Sequence, residues 1–451
     1  MAFLDQPLTK RLVQLALPVM LTQVGQVSVN LFDNIIVGNL LGADALASVS
    51  LANGLFFSIF VVALGFSLAI PPLVSEAQTQ NNDARIHSVF SHGFVIDMVI
   101  GALLVVLIFA ISPMLYHMNQ PEHILPDAEV YLKIVVVGII PFMAFQTMRE
   151  VSEGLSFTIG VTKATIIANI LNIILDYVFI KGMGFIPAMG VAGSAYATLI
   201  ARIFMMVFLF FVMKNNKVTR PYIDGFSLRK SIFKKSMFAN LLKLGFPMAM
   251  QMFFEVTAFA GAAFICGIVS ARDIAAHQIA LSMASFTFNL CIGFSVASTI
   301  MVGNRVGERN FLAVKQVGIN NLKITFLFML MCGLGFILGR HQLPVFFTKS
   351  DEVEVIALAA QLLIVAAFFQ LSDGIQIVAL GLLRGLQDVK IPSVITFVAY
   401  WVITIPLGYF LCVTMEMGAF GMWIALGIGL TFSALLLVQR FFAKIGQRIT
   451  Q

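Results

Sequence analysis

Carboxyl groups stand where this chain is otherwise almost entirely apolar. Asp33 lies in QVSVNLFDNIIVG, and Gln26, Asn30 and Asp33 recur at i, i+4, i+7, one face of a helix. Asn169, Asn172 and Asp176 make a second stripe at i, i+3, i+7, and Thr198 adds a hydroxyl in the next apolar run. Further on, Glu255 follows Gln251 by four residues, and Asp373 is flanked on its face by Gln370 and Gln376. A polar stripe of Gln278, Ser282, Ser285 and Asn289 lies between them in sequence, with Met283 beside it. Hard cations take oxygen ligands of these kinds. Two carboxylates in one poorly solvated pocket also suit uptake of a proton. Asp33, Asn172, Asp176 and Thr198 are therefore the candidate set for coupling to a cation or proton, with Glu255 and Asp373 as a second pair of acids. Gln26, Asn30, Asn169, Gln251, Ser282, Met283, Asn289, Gln370 and Gln376 are the candidate cavity and substrate contacts.

The elements that must hold these groups are membrane helices. The chain has 451 residues, of which 59% are hydrophobic and 11% charged, with a mean hydropathy of +0.96. A water-facing domain carries roughly 25% charged residues. Apolar runs of about 20 residues recur along the whole length, enough to cross a hydrocarbon core as helices. Runs such as Leu103 to Ile111 do not alternate apolar with polar residues, which excludes the strands of a membrane barrel. The predicted spans are 12–37, 50–75, 91–113, 130–149, 161–181, 190–213, 241–268, 274–300, 316–340, 354–382, 392–413 and 418–441. Most lysines and arginines then fall on one side, while the other receives Lys133, Lys181, Arg272, Arg340 and Lys349. By the positive-inside rule both termini are expected in the cytoplasm. The net charge of +6 follows from this bias and does not call for nucleic acid. The N-terminal stretch MAFLDQPLTKRLVQLALP has no short apolar core before a small-residue cleavage site, so no removable signal peptide is expected.

The sequence also repeats at about 228 residues. LALP around Pro18 matches LGFP around Pro247, LGFSLA matches IGFSVA, and MGVAGSAYA (189–197) matches MGAFGMWIA (417–425). Each copy holds six spans, so both keep the same orientation and predict two pseudo-symmetric six-helix lobes. The expected organisation is an N-terminal lobe over 1–213, a cytoplasmic basic linker over 214–240 and a C-terminal lobe over 241–451. The acids break this symmetry: Asp33 corresponds to about Ala262, and Asn172 and Asp176 to positions near Ala399 and Ile403. Charges at mid-membrane cost several kcal/mol and face a wet cavity or a partner. Arg202 is the one arginine inside a span, and a structural role, neutralising a carboxylate or snorkelling, is assigned to it.

Cys266, Cys291, Cys332 and Cys412 all lie in apolar runs without metal spacing and read as packing residues. The six histidines are scattered. No phosphate-binding loop, helical histidine pair or nucleophile elbow is present in the sequence, so neither a cofactor nor an enzyme is expected.

Several segments together resemble the multidrug and toxic compound extrusion family, most closely its NorM-like bacterial members. They are the Pro18 and Asp33 segments, NIILDYVFI (172–180), IAAHQIA (274–280), VGNRVGE (302–308) and RGLQDVKIP (384–392). The resemblance implies an all-α integral membrane protein with twelve transmembrane helices. It implies multi-pass residence in a bacterial inner membrane and export of organic cations against Na+ or H+ by alternating access. Asp33, Asn172, Asp176 and Thr198 match the family's amino-lobe positions, and Glu255 and Asp373 its carboxyl-lobe acids, so this chain keeps both sets. Ile174 stands where some members have a proline. Two complete lobes in one chain make a monomer sufficient. A lipid-linked saccharide flippase on a related scaffold is the alternative; its anionic cargo calls for several cavity arginines, where only Arg202 is available.

Overall fold

A computed structural model describes residues 5–117, 121–184, 186–229, 233–348 and 352–449. Lys349 and linker residues 230–232 lie outside the described residues. Within hydrocarbon every backbone N–H and C=O must be satisfied inside the chain, so apolar runs of this length become helices. Among the described residues eleven helices are long and apolar enough to cross a membrane. They are α1 (Gln6–Leu41), α2 (Ala43–Thr79), α3 (Asp83–His117), α5 (Thr158–Lys181), α6 (Val191–Asn215), α7 (Lys235–Val269), α8 (Ala271–Gly307), α9 (Phe311–Gly339), α10 (Val353–Gly385), α11 (Lys390–Thr414) and α12 (Gly418–Ile449). A bent pair, Glu122–Val137 and Ile139–Gly154, meets at 41° across Gly138; taken as one broken span, α4, it brings the number among the described residues to twelve. The chain is an all-helical, multi-pass membrane protein, as the apolar pattern predicts.

Three helices are interrupted for identifiable reasons. In α4 the break lies one turn before Pro141, which has no N–H for the Val137 carbonyl. In α2 it falls at Leu68–Ala69, just before Pro71 and Pro72. Helix α11 carries two π-helical stretches, Val398–Thr404 and Phe410–Thr414, on either side of the turn that holds Pro406. A π turn inserts one residue and turns the following side chains to a new face.

The sequence repeat is visible in the backbone. Asn81 and Arg309 share a left-handed turn (φ 52° and 57°), as do Ser156 and Gln387 (61° and 59°) and Gly190 and Gly418 (56° and 59°). Asn82 caps α3 by accepting from the Arg85 N–H at 3.0 Å, and Asn310 caps α9 by accepting from Ala313 at 3.0 Å. The chain divides into two compact units, one of residues 21–249 and one of 1–20 with 250–451. The leading turns of α7 therefore belong with the first unit, and those of α1 with the second. Two glycines of the matching GFS motifs permit this. A side chain on Gly65 would collide with the Ala249 backbone, and one on Gly293 with the Ala16 carbonyl and Met20.

The basic segment after α6 is docked, in addition to its charge. The Tyr222 hydroxyl donates to Asp83 at 2.7 Å, and burial, with Asp83 beside it, pushes that phenol above its ordinary range. Phe226 packs on Phe90 and Phe94, and Phe233 and Phe238 flank the His92 ring. His92 Nδ1 donates to the Ser88 carbonyl at 2.7 Å, which leaves Nε2 to accept the Lys234 N–H at 2.9 Å. This clasp predicts that His92→Ala raises amide exchange and tryptic cleavage at Lys234 and Lys235. A lost hydrogen bond of about 1–2 kcal/mol corresponds to roughly five- to thirtyfold in protection; unchanged protection would mean the clasp is not held by His92.

Candidate functional site

Asp33 of the first unit borders a cavity of about 650 Å³. Helix α1 supplies Gln26, Asn30 and Asp33, α5 supplies Asn169 and Asn172, and α6 supplies Thr198 and Arg202. Phe56, Phe57 and Phe60 from α2, with Tyr131 and Phe142 from α4, form its apolar wall. The helical stripes seen in sequence thus converge on one space. The Tyr131 hydroxyl accepts from Asn53 Nδ2 at 3.4 Å, fixing one side of that wall.

Asp33 is buried, and the Asn172 amide satisfies both its ends when its nitrogen faces the acid. Nδ2 then donates to Asp33 Oδ1 at 3.0 Å, while the amide oxygen accepts from the Thr198 backbone N–H at 3.3 Å. Asp176 is fully buried beneath them. Neither of its oxygens has a hydrogen-bond partner among the described residues, although the Asp33 carboxyl and the Ser194 hydroxyl lie beside it. The Thr198 hydroxyl is likewise unpartnered among the described residues. Two adjacent carboxylates have only acceptors to offer each other, so a proton on either one converts their contact into a hydrogen bond. The four residues of the candidate coupling set are therefore neighbours, with the amide of Asn172 turned nitrogen-first toward the acid.

Arg202 also lies on this cavity, held by a backbone carbonyl and two aromatic rings. Its Nη1 donates to the Val135 carbonyl at 3.0 Å, at the α4 break, and its guanidinium lies over the Phe56 and Phe142 rings at 5.0 and 5.7 Å. Arg202 and Asp33 are within electrostatic reach of each other.

The second unit buries its own polar group. Glu255 on α7 and Asp373, Gln370 and Gln376 on α10 are all buried, with Asp373 and Arg384 within electrostatic reach of Glu255. Arg384 Nη2 donates to Gln251 Oε1 at 3.5 Å. Tyr400, fully buried in the first π stretch of α11, joins the group: Gln376 Nε2 donates to its hydroxyl at 3.0 Å, and the hydroxyl donates to Glu255 Oε1 at 3.5 Å. Both amide atoms of Gln370, the Gln376 oxygen and the Gln251 nitrogen have no partner among the described residues. Ser282 and Asn289 bond backbone carbonyls of their own helix, and Met283 packs against the apolar core of this unit. None of these contacts involves Glu255 or Asp373.

Sequence reasoning missed Tyr400: at the repeat spacing of 228 it is itself the counterpart of Asn172, whereas the sequence analysis read that counterpart as apolar, near Ala399. Asp97 on α3 was also missed; it is buried and accepts from the Thr147 hydroxyl at 2.6 Å. A lone acid in the apolar run HGFVIDMVIG was the available signal.

Comparison with known proteins places this architecture among its relatives. The MatE family profile matches residues 18–178 and again 247–410. The chain is 32% identical over 439 residues to the Multidrug resistance protein NorM of Photobacterium profundum, covering 96% of this chain and 94% of that protein. It is 32% identical over 437 residues to the Probable multidrug resistance protein NorM of Mannheimia succiniciproducens, covering 96% and 93%. Its fold is similar to a crystal structure of MATE in complex with MaL6, with a TM-score of 0.88 at 20% identity over 98% of both chains. An outward-facing multidrug resistance MATE family transporter of the MOP superfamily also gives 0.88, at 21% identity over 98% and 96%.

The Tyr400 contacts generate a stability prediction. Tyr400→Phe leaves Gln376 and Glu255 without their shared partner, at about 0.5–2 kcal/mol for a membrane hydrogen bond. The thermal unfolding midpoint of the detergent-solubilised protein should fall. An unchanged midpoint would show that the hydroxyl is not engaged.

Proposed function

Because the chain belongs to the MatE family, we propose that it is a multidrug efflux antiporter that exports organic cations in exchange for an inward-moving ion. The family makes it a membrane transporter and not an enzyme. The cargo class is supported by the NorM relatives and by the cavity, where Asp33 and the aromatic rings suit a flat or greasy cation. The positive-inside bias supports residence in a bacterial inner membrane with both termini cytoplasmic.

The observation that carries the mechanism is the contact of Asp33 with Asp176 and Asn172. The donor set around Asp33 suits a proton better than Na+. Asn172 presents its N–H to the acid, and its oxygen is already engaged by the Thr198 N–H. A proton needs no shell of oxygen ligands, and it supplies the donor that the paired carboxyls lack. In the cytoplasm-open state cargo binds while the acid pair is unprotonated. After the switch to the outside-open state a proton enters the pair, lowers the negative field of the cavity, and cargo leaves. Cargo and proton need only favour different states of the protein. Glu255 and Asp373 offer a second acid pair whose occupancy biases the same equilibrium. The flippase reading loses ground, since Arg202 is the one arginine among the described residues that line this cavity.

Efflux of a fluorescent organic cation from proteoliposomes tests this reading, with an inward-directed H+ gradient alone and a Na+ gradient alone. The H+ gradient should drive export. Asp33→Asn should reduce driven export by about 5–150-fold, the range of a typical coupling free energy, with protein still in the bilayer. Export driven by Na+ alone, or full export by Asp33→Asn, would contradict the mechanism.

A further inference from the structure

The arginine on the first-unit cavity has no counterpart in the repeat. The position 228 residues further on is Leu430, fully buried in the second unit. An arginine at this depth needs a reason. Its packing gives part of one. The guanidinium is held by the Val135 carbonyl and by the faces of Phe56 and Phe142, groups from two different helices. Gly138 provides the room: a side chain there would meet Arg202 Cδ at 3.0 Å and Nη1 at 3.1 Å. A residue clamped in this way cannot swing away when something else enters the cavity. Arg202 is thus a fixed positive charge on the wall that also presents Asp33, Asn172 and Thr198.

From this placement we propose that Arg202 sets the ion selectivity of the first-unit site, admitting a proton to the Asp33–Asp176 pair and excluding Na+. The inference rests on the proton-coupled reading above and names the residue responsible for it. The charge count is simple. Two carboxylates and one guanidinium leave a single negative charge, which one monovalent ion would complete. A proton completes it by bonding to a carboxyl oxygen, where it lies between the two acids and needs nothing further. Na+ would have to gather several oxygen ligands while facing the guanidinium and the Asn172 N–H groups, all of which repel it. With Arg202 neutral, the pair carries two uncompensated charges, and the repulsion next to Asp33 is gone. A Na+ ion then becomes the natural counter-charge, with the Asn172 amide free to turn its oxygen inward.

Gain of a new response is the diagnostic result, since damage to folding cannot produce it. Wild type, Arg202→Lys and Arg202→Gln are reconstituted, and efflux of a fluorescent organic cation is driven by an H+ gradient alone or a Na+ gradient alone. Wild type and Arg202→Lys should respond to H+ alone. Arg202→Gln should respond to Na+ alone, on the order of tenfold more than wild type does, equivalent to about 1.4 kcal/mol. Direct binding is read in parallel, as the rise in unfolding temperature with NaCl against choline chloride. Only Arg202→Gln should be stabilised specifically by Na+, and this readout decides the matter if that variant does not transport. An Arg202→Gln protein with no Na+ response in either assay overturns the proposal, as does an Arg202→Lys protein that behaves like Arg202→Gln. Wild type driven by Na+ alone would instead remove the proton-coupled reading on which the proposal stands.

Discussion

An acid at membrane depth must have its charge balanced, and the first unit is organised around an acid that is not fully balanced by its own protein. Asp176 is fully buried and its oxygens have no hydrogen-bond partner among the described residues. Asp33 above it has the Asn172 N–H and the distant help of Arg202. A fully satisfied carboxylate would be inert, because nothing would be gained by binding an ion. An isolated one would be too costly to keep. The arrangement lies between these limits, which is what an ion that comes and goes in each cycle requires. The aromatic wall, the α4 break and the clamped arginine can all be understood as the setting for that one deficit.

The repeat explains the scaffold and the departures from it locate the chemistry. Turns, caps and close glycine contacts recur at corresponding places in the two halves, as Asn82 and Asn310 or Gly65 and Gly293 show. The charged groups do not recur. The first unit places acids on α1 and α5 and an arginine on α6. The second places Glu255 on α7, Asp373 on α10 and a tyrosine on α11. Similar backbones therefore hold two different buried polar groups. A carboxyl pair with donor groups around it occupies one unit, and the other joins acids to a hydroxyl and to glutamines with unpartnered amide atoms.

The spans were legible because a membrane helix is specified by length and hydropathy, and both are read directly from composition. Helix ends were less so: α1 runs from Gln6 to Leu41, whereas apolarity alone suggests 12–37. The acids and amides of α1 and α5 were legible because helical spacing puts them on one face and because the repeat gives the acids no matching acid. What escaped depends on contacts between distant segments or on backbone irregularity. The hydrogen bonds that join Tyr400 to Gln376 and Glu255 have no compositional signature. The rings beneath Arg202 come from α2 and α4, and nothing in the local sequence announces them. The basic segment after α6 was read from its charge, although Tyr222, Phe226 and Phe233 within it were the sign that it packs against α3.

The account turns on cargo and proton competing for one balance of charge in the first unit. Its most direct test is to count protons released when an organic cation is added to the purified protein in weakly buffered solution, in a Na+-free medium. Wild type should release protons as cargo binds, and Asp33→Asn should bind cargo with that release largely lost. Cargo binding by the wild type without proton release, or with the same release from Asp33→Asn, would contradict the account.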